Sequence, residues 1–347
     1  WDVSKVTVLD AVFGSSDTGT VSPFNQELSE WDVSSCKSIY AMFFSAKEFN
    51  QSVGSWDVSQ VTNMSYVFSN AFSFNQDLSN WDTSRCLNFN SFFWNSKFNS
   101  HVLSWDVSKV TDMFGAFASS DADIVSPFNQ ELSEWDVSSC KTIQAMFQLA
   151  KEFNQSIGNW DVSQVTHMSH MFNDAFSFNQ DLSNWDTSRC LSFNSFFWSS
   201  KFNNYVLSWD VSKVTDMFGA FASSDADIVS PFNQELSEWD VSSCKTIKGM
   251  FQRAKEFNQS IERWDVSQVT DMSSLFFNAF SFNQDLSNWD TSSCLNFNSF
   301  FWNSKFNSHV LNWDVSKVTV LDAVFGSSDT GTVSPFNQEL SEWDVSS

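Results

Sequence analysis

Apolar residues in the stretch Trp56–Asn80 follow two rhythms in succession. In the first half, Val61, Met64, Val67, Phe68 and Ala71 fall at i, i+3, i+6, i+7 and i+10, the spacing of one helical face. The same slots hold Cys36, Ile39, Met42, Phe43 and Ala46 one copy earlier, and Cys86, Phe89, Phe92 and Phe93 one copy later. Ser59 precedes the run as an N-cap, and Asp57 adds negative charge where a helix dipole favours it. This spacing predicts a short helix. In the second half Phe74, Gln76 and Leu78 alternate with Asn75, Asp77 and Ser79, the period of two that predicts a short strand.

The whole chain repeats this unit. Trp-Asp-(Val/Thr)-Ser opens copies at Trp1, Trp31, Trp56, Trp81 and Trp105 and onward to Trp343, in steps of 30, 25, 25 and 24 residues that make a super-repeat of 104. Such periods signal stacked units, because one unit cannot bury its apolar face alone. The expected fold is an α/β solenoid with rungs of about 25 residues, each a short strand plus a short helix. Stacking would produce a Phe spine, a Gln ladder (Gln26, Gln51, Gln76) interrupted at Ser100, and a Trp column at the corner. The longest rung carries five extra residues within Gly14–Pro23, Ala118–Pro127 and their later versions, rich in Ser, Asp, Gly and Pro and hence a loop. The fourth rung is marked by Phe-Phe-Trp at Trp94, Trp198 and Trp302.

Residues 1–35 are identical to 313–347 yet differ at nine positions from 105–139, for example Val8 against Asp112. No atypical capping rung stands at either end. The expectation is one continuous uncapped array over 1–347, with super-repeats 1–104, 105–208 and 209–312 and the start of a fourth at 313–347, as a segment of a longer array.

The strings WDVSxVTxM and FNQxLSxWDVS resemble the repeats of BspA-like surface proteins, a family first associated with mycoplasma lipoproteins and related to leucine-rich repeats. The resemblance covers every rung. It implies leucine-rich-repeat-like rungs, a place on a cell surface or in secreted material, adhesive behaviour and no enzymatic activity.

Composition narrows the classes. The chain has 39 Phe and 17 Trp against 9 Gly and 4 Pro, so it is too aromatic for a disordered segment. Net charge is −23, which argues against nucleic acid or an anionic membrane as partner. No apolar run approaches the ~20 residues of a membrane helix. Cys36, Cys86, Cys140, Cys190, Cys244 and Cys294 each sit five residues after a repeat Trp, where other copies have Val. They are expected as buried thiols, since equivalent positions two rungs apart lie beyond disulfide reach.

Few constellations suggest chemistry. No nucleophile elbow or phosphate loop occurs, and the acids come as identical columns rather than as a pair in contrasting environments. Catalysis is not expected. The Asp column (Asp2, Asp32, Asp57, Asp82 and onward) has two accounts: acceptance of backbone N–H bonds at the following turn, or calcium held between rungs. Asp121 and Asp123, with their copies Asp225 and Asp227, are further calcium candidates, although Asp17 and Gly19 break the pair in the first copy. His167 and His170 have a spacing that binds metal on a helix, or are surface variation. Asn50, Asn63, Asn154 and Asn258 are N-glycosylation sequons, or arise simply because Ser replaces an acid. Trp94, Trp198 and Trp302, placed by helical geometry on the flank of the core, are expected to form an evenly spaced row for lateral association. The functional expectation is a structural protein building extracellular or cell-surface fibres, or a surface layer, from its own copies. The alternative is an adhesin that recognises glycans or other surface proteins through its strand face or aromatic columns.

Overall fold

The computed structural model describes residues 2–15, 21–224, 228–327 and 334–344. The chain divides into two compact units, Trp1–Gln180 and Asp181–Ser347, and the same kind of rung recurs within each. A rung is a succession of reverse turns. Between Val33 and Trp56, N–H groups donate to the carbonyl three residues back: Cys36 to Val33 (2.8 Å), Met42 to Ile39 (3.1 Å), Phe44 to Ala41, Ala46 to Phe43 and Phe49 to Ala46 (each 3.0 Å), and Trp56 to Val53 (3.2 Å). The other N–H groups of the turn region point sideways. Ile39, Ala41, Phe43 and Ser45 donate to the carbonyls of Asn63, Ser65, Val67 and Ser69 in the next rung, at 2.9 to 3.3 Å. In the second unit Met217, Gly219, Phe221 and Ser223 donate in the same way to Thr246, Lys248, Met250 and Gln252.

Two left-handed backbone positions make this possible. Ala41 (φ 52°) and Ser45 (φ 60°) are each the third residue of a turn, and Tyr66, Asn70, Ser91 and Asn95 repeat the pair in the next two rungs. Positive φ at the third position alone is the mark of a type II turn. Gly115, Gly219 and Gly249 take the first of these slots without strain, whereas each side-chain-bearing residue there costs about 1 kcal/mol or more. The sideways hydrogen bonds offset that cost.

The α/β solenoid with a strand and a helix in each leucine-rich-repeat-like rung is therefore not the fold. Among the described residues there is no helix, and strand-like pairing is confined to isolated parallel bridges such as Ser38↔Asn63, Asn63↔Asn88 and Thr246↔Asp271. The i, i+3, i+7 rhythm is real but has another cause. Val33, Cys36, Ile39, Met42, Phe43, Ala46 and Phe49 are all buried, because turns closed by i+3 to i bonds return the chain to the core every three residues. A helix would need these N–H groups four residues back along its own axis, and the neighbouring rung has already taken half of them. Ser, Asn, Thr and Phe, which fill these segments, are also indifferent helix formers.

The expected strand fails for a related reason, although its inside–outside parity holds. Phe74 and Leu78 are buried while Asn75 and Asp77 are exposed. Here a side-chain ladder replaces a backbone one. Asn50 Oδ1 accepts from the Asn75 N–H (2.9 Å) and from Gln76 Nε2 (3.0 Å), and Asn75 Oδ1 accepts from the Asn99 N–H at 2.8 Å. Gln51 and Gln76 do bond from rung to rung, but to the Asn of the preceding rung rather than to another Gln. Ser100 fills the interrupted slot and donates its hydroxyl to Asn75.

Aromatic rings fill the interior. Phe43 stacks on Phe49 at 3.9 Å and on Phe68 of the next rung at 5.5 Å; Phe251, Phe257 and Phe276 repeat this at 3.9 and 5.7 Å. The repeat tryptophans stack as a column, with Trp81–Trp105 at 6.4 Å and Trp289–Trp313 at 6.3 Å. Indole N–H groups of this column are bonded inside the stack, as in Trp105 to the Leu78 carbonyl and Trp289 to the Ile261 carbonyl, both 3.0 Å. A buried Trp keeps its polar handle satisfied in this way.

All six cysteines are buried and lie outside any disulfide. Burial pushes the Cys86, Cys140 and Cys244 thiols up to about 12. Thiol titration should therefore find six groups per chain under denaturing, non-reducing conditions and almost none in the folded protein at pH 8. Rapid labelling of the native protein would contradict this packing.

Candidate functional site

The repeated acid is occupied by its own turn. Asp106 Oδ1 accepts the Ser108 N–H at 3.0 Å and the Ser108 hydroxyl at 2.6 Å. Asp2 and Asp32 bind Ser4 and Ser34 by the same pair of bonds. This is an Asx-type turn, so the expected local acceptance of N–H bonds is present, with a turn in place of a helix. The serine hydroxyl, and then its N–H, hold the Asp106 and Asp82 carboxyls below the usual carboxylate range. Repulsion from Asp106 raises Asp82 but is smaller than either serine bond. Exposure explains the ranking, since water screens like charges while a hydrogen bond is local.

The calcium candidates Asp121 and Asp123 are exposed. Asp121 Oδ1 accepts the Asp123 N–H (2.9 Å), and the Asp121 N–H donates to Ser119 Oγ (3.2 Å). Asp225 and Asp227 lie outside the described residues. Among the described residues no three His, Cys, Asp or Glu side chains converge as a metal-ligand set. His167 and His170 do not share a helical face: His170 occupies a left-handed turn position (φ 61°), and His167 Nδ1 lies 2.8 Å from the Thr166 hydroxyl.

Three of the four sequons fall on the asparagine ladder. Asn50, Asn154 and Asn258 are exposed, and their Oδ1 atoms receive the N–H groups of Asn75, Asn179 and Asn283. Asn63 instead accepts the N–H and hydroxyl of Ser65, its own sequon serine. This ladder is the element that sequence reasoning missed. Its signal was present: Asn follows the repeat Phe at every rung, including the rung where the following Gln gives way to Ser100.

The marked tryptophans pack against the following rung. Trp94 stacks on Phe114 (5.7 Å, 5°) and donates to Ser120 Oγ at 3.3 Å. Its ring lies so close to Gly115 that a Cβ there would meet it at 2.3 Å. Trp198 sits in the same way on Phe218 and Gly219, while Trp302 stacks on Phe277 of the preceding rung and abuts Gly326 of the following one. All three are half-buried. The helical flank that suggested their placement does not exist, and turn geometry positions them.

Two outcomes follow from these contacts. Gly115→Ala combines the collision with a positive φ (56°) and should destabilise the folded chain by about 2 kcal/mol, measured as a lower denaturant midpoint. Trp94→Ala in the same chain should recover part of that loss. The Asp82 and Asp106 carboxyls have folded pKa values below their ordinary 3.8, so their contribution is fully present above about pH 4. It is lost as pH falls through the depressed folded values. Chemical denaturation at pH 7 and pH 3 should show that loss. Asp106→Asn, which keeps the acceptor, should stay near wild type at pH 7, while Asp106→Ala should not.

No curated protein and no solved structure matches the chain. One family matches it in six overlapping stretches, residues 1–59, 18–126, 118–230, 202–305, 223–331 and 296–347. These stretches tile the sequence from end to end, and the chain belongs to that family, described as Mycoplasma protein of unknown function, DUF285.

Proposed function

We propose that this chain is a non-enzymatic structural repeat protein whose product is an assembly of its own copies, at the cell surface or outside the cell. One observation carries the proposal: the residue types that could do chemistry recur as columns with the same partner inside the stack. Asp carboxylates hold their own serines, as in Asp82 and Asp186. Asn amides hold the next rung, as in Asn50 and Asn233. Tryptophan N–H groups hold buried carbonyls, and the thiols are buried with raised pKa values. Catalysis would need one such group to stand apart, with a pKa matched to its task. The resemblance to BspA-like repeats favours the surface location. The half-buried indoles Trp94, Trp198 and Trp302 are the contacts we assign to lateral association, since a partly exposed Trp edge suits an interface anchor.

Electron microscopy and sedimentation of the purified chain test this. Filaments or sheets with a concentration-dependent sedimentation coefficient are expected. Replacing Trp94, Trp198 and Trp302 together by Phe keeps a ring over each glycine and should yield thinner assemblies. Discrete particles of single-chain mass at all concentrations would remove the assembly reading.

A further inference from the structure

The fourth rung, shortened to 24 residues, differs from the other three at two surface slots. Six residues after the repeat Trp it carries Leu87, Leu191 or Leu295, where other rungs have Thr62, Thr111, Lys37 or Lys141. These leucines are 46%, 42% and 45% exposed. Two residues before the next repeat Trp it carries Leu103, Leu207 or Leu311, all half-buried, where Ser29, Gly54 and Ser79 stand elsewhere. Core packing does not demand a leucine at either slot. The frame beneath Leu87 is fixed from both sides: its N–H donates to the Thr62 carbonyl (2.9 Å), and its carbonyl accepts the Thr111 N–H (2.9 Å) and hydroxyl (3.2 Å). Leu295 is held between Thr270 and Thr319 in the same way. A lone exposed leucine is ordinary, but these two rows carry opposite rims.

Bases flank the first row. Arg85 lies two residues before Leu87 and Lys109 fills the Arg85 slot of the next rung; Arg189 and Lys213 flank Leu191 likewise. Arg85 and Lys109 are exposed and end on neutral oxygens, Gln60 Oε1 (2.6 Å) and the Ser84 carbonyl (2.9 Å). The acids nearest them are engaged elsewhere. Asp82 and Asp106 accept from Ser84 and Ser108, and Asp112 from the Phe114 N–H and Asn90 Nδ2. Acids flank the second row. The Trp135 indole N–H reaches the Val102 carbonyl at 3.0 Å, which sets Ser133 and its neighbours beside Leu103. Those neighbours are Glu131 and Glu134, both exposed. Glu235 and Glu238 repeat them beside Leu207, while the slot of His101 in this corner becomes Tyr205.

We propose that the Leu87 corner of one copy docks on the Leu103 corner of another. This contact rests on the reading that copies assemble, and it names where they meet. Charge selects the pairing. Leu87 against Leu87 would bring like bases face to face, and Leu103 against Leu103 like acids, whereas Leu87 on Leu103 sets base against acid around an apolar centre. Both leucines belong to the same rung and both rims return once per 104 residues, so one period serves donor and acceptor corners alike. The net charge of −23 opposes approach at long range, but it is screened beyond ~8 Å at physiological ionic strength, while the rim charges meet at contact.

The test is sedimentation of charge-reversed chains at physiological ionic strength. One chain carries Arg85→Glu, Lys109→Glu, Arg189→Glu and Lys213→Glu; the other carries Glu131→Lys, Glu134→Lys, Glu235→Lys and Glu238→Lys. Each alone should need at least about tenfold higher concentration to associate, and an equimolar mixture should recover association. The glutamate-reversed chain is decisive, because its net charge is closer to zero and general repulsion alone would make it assemble better. Leu87→Thr, Leu191→Thr and Leu295→Thr combined should weaken association likewise with an unchanged melting temperature, since threonine fills this slot in neighbouring rungs. Wild-type assembly with either reversed chain or the threonine chain unaffected, or no recovery on mixing, would overturn this contact and leave the assembly reading standing. A wild-type chain that stays single at all concentrations would remove both.

Discussion

Every buried backbone N–H must find an acceptor, and in this chain successive N–H groups alternate between two destinations. Met42, Phe44 and Ala46 donate backward within their own rung, while Ile39, Ala41, Phe43 and Ser45 donate across to the next. Neither set makes a helix or a broad sheet. Together they close each rung and fasten it to its neighbour. The left-handed residues Ala41 and Ser45 are the local cost of switching direction twice within eight residues. That cost recurs in the following rungs and is offset each time by the same cross-rung bonds.

Side chains follow the same rule of lateral satisfaction. Where the backbone runs extended from Phe74 to Leu78, the Asn50 and Asn75 amides take over the pairing. At the corner, the indole N–H of Trp105 reaches a carbonyl of the preceding rung. Phe and Trp rings stack in register because identical slots lie above one another, so an aromatic-rich composition produces order rather than loose collapse. The acid columns are tolerated for a local reason, seen at Asp82, which its serine holds more strongly than the Asp106 charge repels it.

Beside these regular columns the array carries a few irregularities. The regular columns are occupied, and the departures from regularity carry exposed, uncommitted chemistry. The shortened rung leaves Lys305 exposed. The Phe-Phe-Trp rung places a half-buried indole over a glycine, leaving part of the ring exposed. Both recur once per 104 residues, a longer interval than the rung itself.

The sequence by itself determined the rung length, the slots that face inward, the burial of Cys86 and Phe74, and the membership of each column. Periodicity of apolar residues reports which side chains return to the core, and Val61, Met64, Val67 and Phe68 do so. It does not report how the backbone brings them there. A helix and a chain of type II turns both return every three to four residues, and what separates them is whether Ile39 N–H bonds along its own segment or to Asn63. Only the presence of the neighbouring rung decides that. The same holds for Trp94, whose place over Gly115 depends on the next rung. One-dimensional patterning records burial, while hydrogen-bond destinations and surface concavity belong to contacts between segments far apart in the chain.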